Sequence, residues 1–173
     1  MSARHSPHGR QPLRILGISG SLRQTSANTA LVHAAAQLAS DGVEVRVYTQ
    51  LGELPPFNPD LDGDSPPASV AQFRLEIEAS AAVLISSPEY AHGVPGTLKN
   101  ALDWIVGSGE IVGKPVALVN AAPRATHAQA SLAETLRVMS ADLVDEASVA
   151  LPLSGRNLDA AGIWPRQVNA PGH

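Results

Sequence analysis

Residues 13–32 read LRILGISGSLRQTSANTALV, and this stretch decides the fold. LRILGIS (13–19) is a short apolar run that stops abruptly in glycine and hydroxyl residues. Beyond them Leu31, Ala34, Ala35 and Leu38 recur at the spacing of one helix face, which ends near Asp41-Gly42. A strand that turns directly into a helix is the first half of a βαβ unit, and the same alternation runs on through the chain.

VEVRVY (43–48) alternates as a strand and is followed by a long loop, LGELPPFNPDLDGDSPP (51–67). Val70, Phe73 and Ile77 mark a second helix, and AAVLISS (81–87) reads as a strand buried on both faces. Pro95 stands where a first helical turn tolerates it, and Leu98, Ala101, Leu102 and Ile105 form the third helical face. PVALVNAA (115–122) is another buried strand, Leu132, Leu136 and Met139 mark a fourth helix, and a last strand is expected within 143–151. The whole is α/β: five parallel strands with helices on both faces, joined by right-handed crossovers.

Composition bounds the function. A chain of 173 residues, 44% hydrophobic and 16% charged, is expected to form one domain with a core built from Ala, Val, Leu and Ile, since aromatics are only 3%. A net charge of −4 and the lack of any Lys/Arg cluster argue against nucleic acid. No apolar run reaches the length of a membrane span, and residues 1–12 (MSARHSPHGRQP) lack the apolar stretch of a signal peptide. With no cysteine there is no disulfide, iron–sulfur cluster or thiol nucleophile. A cytoplasmic protein without a metal centre is expected, with residues 1–12 as a disordered tail whose His5 and His8 belong to a flexible terminus.

In open α/β sheets ligands bind beyond the carboxyl ends of the strands, which directs attention to the segments after residues 18, 87 and 121. The first contains Ser19, Gly20, Ser21, Arg23, Thr25, Ser26 and Asn28. Successive backbone N–H groups at a helix head, hydroxyls, an amide and one guanidinium together make a cradle for one phosphate. The GxxxxGK[ST] and GxGxxG loops are both absent, so a phosphate monoester fits better than a nucleoside triphosphate or a dinucleotide. Simple helix capping by Thr25 or Ser26 is the competing account, and it explains one hydroxyl of the four.

The second segment is SSPEYAHGVPGTLKNALDW (86–104), a turn held by Pro88, Gly93 and Pro95 that presents backbone polar groups to the edge of a flat heterocycle. Lys99 and Asp103 read as a solvated i,i+4 pair, and Trp104 as packing rather than ligand contact.

GSLRxxSxN (20–28) followed by PEYxxxxPGxLKNxxDW (88–104) resembles the NADPH-dependent FMN reductase family over roughly residues 13–155. The resemblance implies a flavodoxin-like sheet of order 2-1-3-4-5, FMN as cofactor and NADPH or NADH as co-substrate. It implies a phosphate-binding turn at Ser19, Ser21, Arg23, Ser26 and Asn28, and a ring-binding segment at Pro88, Glu89, Tyr90 and Ala91, with Gly93 allowing close approach. No side chain is then an acid or base of the reaction, because the flavin carries the chemistry. The implied function is hydride transfer from the nicotinamide to FMN N5, then on to a quinone, flavin, azo or metal-oxyanion acceptor. The implied assembly is a homodimer or homotetramer. The rivals are an electron carrier of flavodoxin type and a non-catalytic relative.

The chain departs from the pattern in three places. Ala91-His92 follows PEY where many relatives have Asn, and His92 reads either as a loop histidine or as a group beside the acceptor. AAPRATHAQ (121–129) replaces a glycine-rich turn, leaving Arg124 and His127 open between the cofactor or nicotinamide side and plain solvated loop. LSGRNLDAAGI (153–163) begins the approach to a fifth helix, but Pro165, Pro171 and Gly172 make 156–173 an atypical, shortened segment. A strip of sheet or first-helix surface is then left for a neighbouring subunit or the N-terminal tail to cover.

Overall fold

A computed structural model describes residues 11–153. The expected tail, apart from Gln11 and Pro12, and the expected C-terminal segment at 156–173 lie outside the described residues. Four βα steps and a last strand in two pieces run in chain order: β1 (Leu13–Ser19), α1 (Ala27–Gln37), β2 (Val43–Tyr48), α2 (Ala68–Glu78), β3 (Ala82–Ser86), α3 (Gly96–Val106), β4 (Pro115–Asn120), α4 (Thr126–Val138), β5 (Asp142–Leu143) and β6 (Val149–Ala150). The sheet has the order β2-β1-β3-β4-β5, with β6 also on β4, and every pairing is parallel. This is the flavodoxin-like order 2-1-3-4-5. No helix among the described residues is long and apolar enough to cross a membrane.

The last strand differs from its expectation. It is two short pieces, Asp142–Leu143 opposite Pro115–Val116 and Val149–Ala150 opposite Val119–Asn120. A single helical turn, Asp145–Ala147, separates them. Asp and Glu are poor strand residues. Across the gap Ser148 Oγ takes the N–H of Leu118 at 3.1 Å and donates to Val144 O at 2.9 Å, in place of a ladder bond.

One face of the sheet carries the main core. Leu16, Ile18, Val83, Ile85, Val116 and Leu118 meet Phe73 and Ile77 of α2, Leu98 and Trp104 of α3, and Leu132 and Leu136 of α4. The opposite face is built on small residues: Ala30, Leu31 and Ala34 of α1 pack with Ala121, Val119 and Leu151. Here the approach is close, since a Cβ on Gly17 would lie 2.5 Å from Val32 Cγ1. The expectation that AAVLISS is buried on both faces is met in part: Val83 and Ile85 on one face are buried, while Leu84 on the other is only half-buried. Leu84 borders an apolar hollow of about 180 Å³ beside Leu31, Val119 and Leu151, on the face that carries only α1 among the described residues.

Candidate functional site

The strand register sets three loops side by side. Ser19 of β1 pairs with Ser86 of β3, and Ser86 pairs with Val119 of β4, so the segments that follow all leave the same edge of the sheet. Gly20 N–H donates to Ser86 O at 2.8 Å, stitching the first loop to the second where both begin. A Cβ on Gly20 would sit 2.9 Å from Ser87 Oγ and 3.0 Å from Leu98 Cδ2, so only glycine lets these segments close.

In the first loop the polar residues divide into two groups. Ser19, Ser21 and Asn28 are buried. Ser19 Oγ shares a 2.8 Å hydrogen bond with Thr29 Oγ1 and accepts from Ser21 N–H at 3.2 Å. Ser21 Oγ accepts from Arg23 N–H at 3.3 Å, and Asn28 Oδ1 accepts from Ser86 Oγ at 3.0 Å. These side chains define the loop's shape. Ser26 is the N-cap of α1, taking the N–H of Thr29 at 3.4 Å. Arg23 is exposed, with no ion pair among the described residues. The N–H groups of Gln24, Thr25, Ser26, Ala27 and Asn28 have no acceptor among the described residues. Five free amides at a helix head beside a guanidinium are a donor set without a carboxylate, suited to a dianionic phosphate ester.

The second loop makes a tight reverse turn. Tyr90 and Gly93 exchange backbone hydrogen bonds of 3.0 and 2.9 Å, and the two residues between them, Ala91 and His92, have φ of 49° and 62°. This left-handed pair is the geometry Asn-Gly adopts readily, and Ala strains to reach it. The positive φ values therefore fall on Ala91 and His92 rather than on Gly93. Pro88 is half-buried, Tyr90 and His92 are exposed, and the N–H groups of Ala91 and His92 face no acceptor among the described residues.

Glu89 ties the second loop to the third. Its Oε2 accepts the N–H of Ala128 in the first turn of α4 at 2.8 Å, and its Oε1 lies 3.1 Å from His92 Nδ1. The Ala128 amide, then the imidazoles of His92 and His127, hold its carboxyl below the ordinary carboxylate range against the opposing effect of burial. The rings of His92 and His127 meet edge to face with centroids 4.3 Å apart. Arg124 is exposed in the third loop, whose shape comes from Asn120: Oδ1 accepts from Ala122 N–H, and Nδ2 donates to Ala125 O.

Two residues at the end of the PEYxxxxPGxLKNxxDW pattern have a task that spacing did not reveal. Asn100 takes the N–H of Phe57 at 2.7 Å and donates to Pro55 O at 2.9 Å, and Trp104 Nε1 donates to the same carbonyl at 2.8 Å. They pin the long loop after β2 against α3, at the same end of the sheet. The Lys99–Asp103 pair is present and partly exposed, as read.

FMN has one phosphate monoester and a flat ring with a polar edge. The free amides and Arg23 match the first, and the reverse turn at 90–93, with unpaired N–H groups at its tip, matches the second. The comparisons point to the same cofactor. The family model for NADPH-dependent FMN reductase matches residues 13–154. An NAD(P)H-dependent FMN reductase of Pseudomonas aeruginosa is 32% identical over 155 residues, 87% of this chain and 83% of that one. A quinone reductase of Pseudomonas putida is 41% identical over 113 residues, 62% of this chain, and the match spans only 59% of that relative. Among solved structures the flavoenzyme NAD(P)H:(acceptor) oxidoreductase FerB of Paracoccus denitrificans superposes with a TM-score of 0.69 at 35% identity, covering 76% of this chain and 74% of that one. With the family model matched over residues 13–154 and a relative 32% identical across 87% of this chain, the chain belongs to the NADPH-dependent FMN reductase family.

Proposed function

We infer that this chain is an FMN-dependent NAD(P)H oxidoreductase that passes two reducing equivalents to a small acceptor of the quinone type. The observation that carries the reading is the row of five unpartnered amides beside Arg23, set next to the strained turn at 91–92. The names of the relatives in Pseudomonas putida and Pseudomonas aeruginosa support it.

Bound FMN supplies reversible two-electron transfer between a nicotinamide and an acceptor. Everything else falls to this chain's residues. The amides of Gln24 to Asn28 and the Arg23 guanidinium neutralise the phosphate. Ser19, Ser21, Thr29, Asn28 and Ser86 lock that loop before any ligand arrives, so little ordering entropy opposes binding. The Ala91 and His92 amides at the turn's tip would stabilise negative charge on the polar edge of the ring, and Pro88 and Tyr90 would flank it. In this reading Arg124 and His127 would serve the nicotinamide or the acceptor. A cytoplasmic homo-oligomer completes the reading. Supporting that part are three exposed valines, Val106 (58%), Val112 (61%) and Val138 (76%), around a groove of about 510 Å³ between α3 and α4.

An absorbance spectrum of the purified full chain, after FMN addition and desalting and then after anaerobic NADPH, tests the reading. A retained flavin band that bleaches with NADPH and recovers on adding a quinone is the expected result. A retained band that NADPH leaves unchanged means an electron carrier, and no retained band means a non-catalytic relative.

A further inference from the structure

Glu89, His92 and His127 form a connected unit at the mouth of the site. The Glu89 side chain is 13% exposed and anchored at both oxygens, while the His92 side chain is 75% exposed. A carboxylate only accepts hydrogen bonds, so the proton between Glu89 and His92 sits on Nδ1. That leaves His92 Nε2 as the atom that exchanges protons with whatever lies outside. Three restraints place this imidazole: the Glu89 contact, the edge of His127 from the first turn of α4, and the reverse turn that holds His92 at φ 62°. Such a backbone conformation on Ala91-His92 costs free energy that an Asn-Gly turn would avoid, and strain of this kind persists where the surroundings over-determine it.

Reduction of a quinone needs more than a hydride. The overall change is quinone + NAD(P)H + H⁺ → hydroquinone + NAD(P)⁺. The hydride carries two electrons and one proton, and the second proton must reach the other developing oxyanion from elsewhere. We propose that His92 Nε2 delivers that proton, with Glu89 as the positioning residue and the ring edge of His127 restraining the imidazole. The N–H bond of the His92 imidazolium breaks as the O–H bond of the hydroquinone forms, and the neutral imidazole then takes H⁺ from solvent. Among the described residues, the charged and titratable groups that contact His92 are Glu89 from its own turn and His127 from α4. The inference rests on the oxidoreductase reading above and deepens it.

The test uses the full FMN-loaded chain with NADPH and two acceptors: a water-soluble 1,4-naphthoquinone, which takes up protons, and ferricyanide, which takes electrons alone. His92→Asn keeps a residue that tolerates positive φ and removes the titrating group. The quinone-to-ferricyanide ratio of kcat is expected to fall at least about tenfold, the low end for a general acid because water substitutes at an open site. Nitrogen-15 NMR of the imidazoles in the full chain without added cofactor gives an independent readout: the Nδ1–H tautomer for His92 in the wild type, and a mixture in Glu89→Ala. An unchanged ratio, an equal fall with both acceptors, or an Nε2–H tautomer in the wild type overturns the proposal while leaving the oxidoreductase reading intact. A wild type that consumes NADPH with neither acceptor overturns that reading, and the proton-delivery role with it.

Discussion

Asn28 and Ser86 show how a single hydrogen bond shapes the site. Both are buried, and the Ser86 hydroxyl has Asn28 Oδ1 as its partner. Asn28→Ala leaves that hydroxyl unpaired away from water, which costs about 1–3 kcal/mol. The expected outcome is a lower thermal midpoint together with weaker FMN retention, read by melting with and without added FMN. Glu89 sets a second expectation through its charge. Its carboxyl is depressed below the usual range, chiefly by the Ala128 amide and then by the two imidazoles. A group with a depressed folded value stabilises the folded state above its unfolded pKa of about 4.3, and the contribution disappears as pH falls through the lower folded value. Hydrogen exchange at the Ala128 amide is therefore expected to show protection that is constant above the carboxylate range and declines in acid below it. Glu89→Gln should remove that acid limb.

The elements meet through close contacts that tolerate little change. A Cβ at position 17 would lie 2.5 Å from Val32 Cγ1, so Gly17→Ala forces β1 and α1 apart. Overpacking of this kind costs about 1–3 kcal/mol. The double variant Gly17→Ala/Val32→Ala is expected to recover part of the loss in chemical denaturation, and additive losses would mean that the contact is not the cause. At the other face Asn100 and Trp104 converge on Pro55 O, holding the loop after β2 on α3. Asn100→Ala removes its two hydrogen bonds to that loop, the one to Pro55 O and the one from Phe57 N–H. The expected result is faster proteolysis within 55–58, with a loss of about 1–2 kcal/mol in global stability.

At the scale of the whole molecule, the core on the α2–α3–α4 side is continuous, and the outer groove between α3 and α4 presents Val106, Val112 and Val138 to solvent. If two or more copies associate there, sedimentation velocity gives a mass that is a multiple of the 18.0 kDa chain. Val138→Lys then returns it to a single copy without changing the melting of the protomer. A wild type that sediments as one chain at all concentrations counts against association.

The alternation of strands and helices was readable before any coordinates, because local periodicity records which face of each segment is buried. So were the parallel sheet and the three loops at its carboxyl edge, since βα connections permit few other arrangements. The candidate phosphate turn was legible as a set of residue types, and Ser26 as a cap. Which of those residues shape the loop and which face outward was not. Ser86 reaches Asn28 across 58 positions, Asn100 reaches Pro55 across 45, and Glu89 reaches Ala128 across 39. Contacts at such separations leave no mark on local spacing, so only the folded chain could show that Glu89 joins two loops, that Asn100 and Trp104 clamp a third, and that the last strand breaks at Asp145–Ala147. The sequence by itself determined the fold class and pointed to the place of the candidate site, through burial patterns and residue types read a few positions at a time. The tertiary structure decided the partners of each polar group there, because a buried donor or acceptor takes its nearest match in space, whatever its distance along the chain.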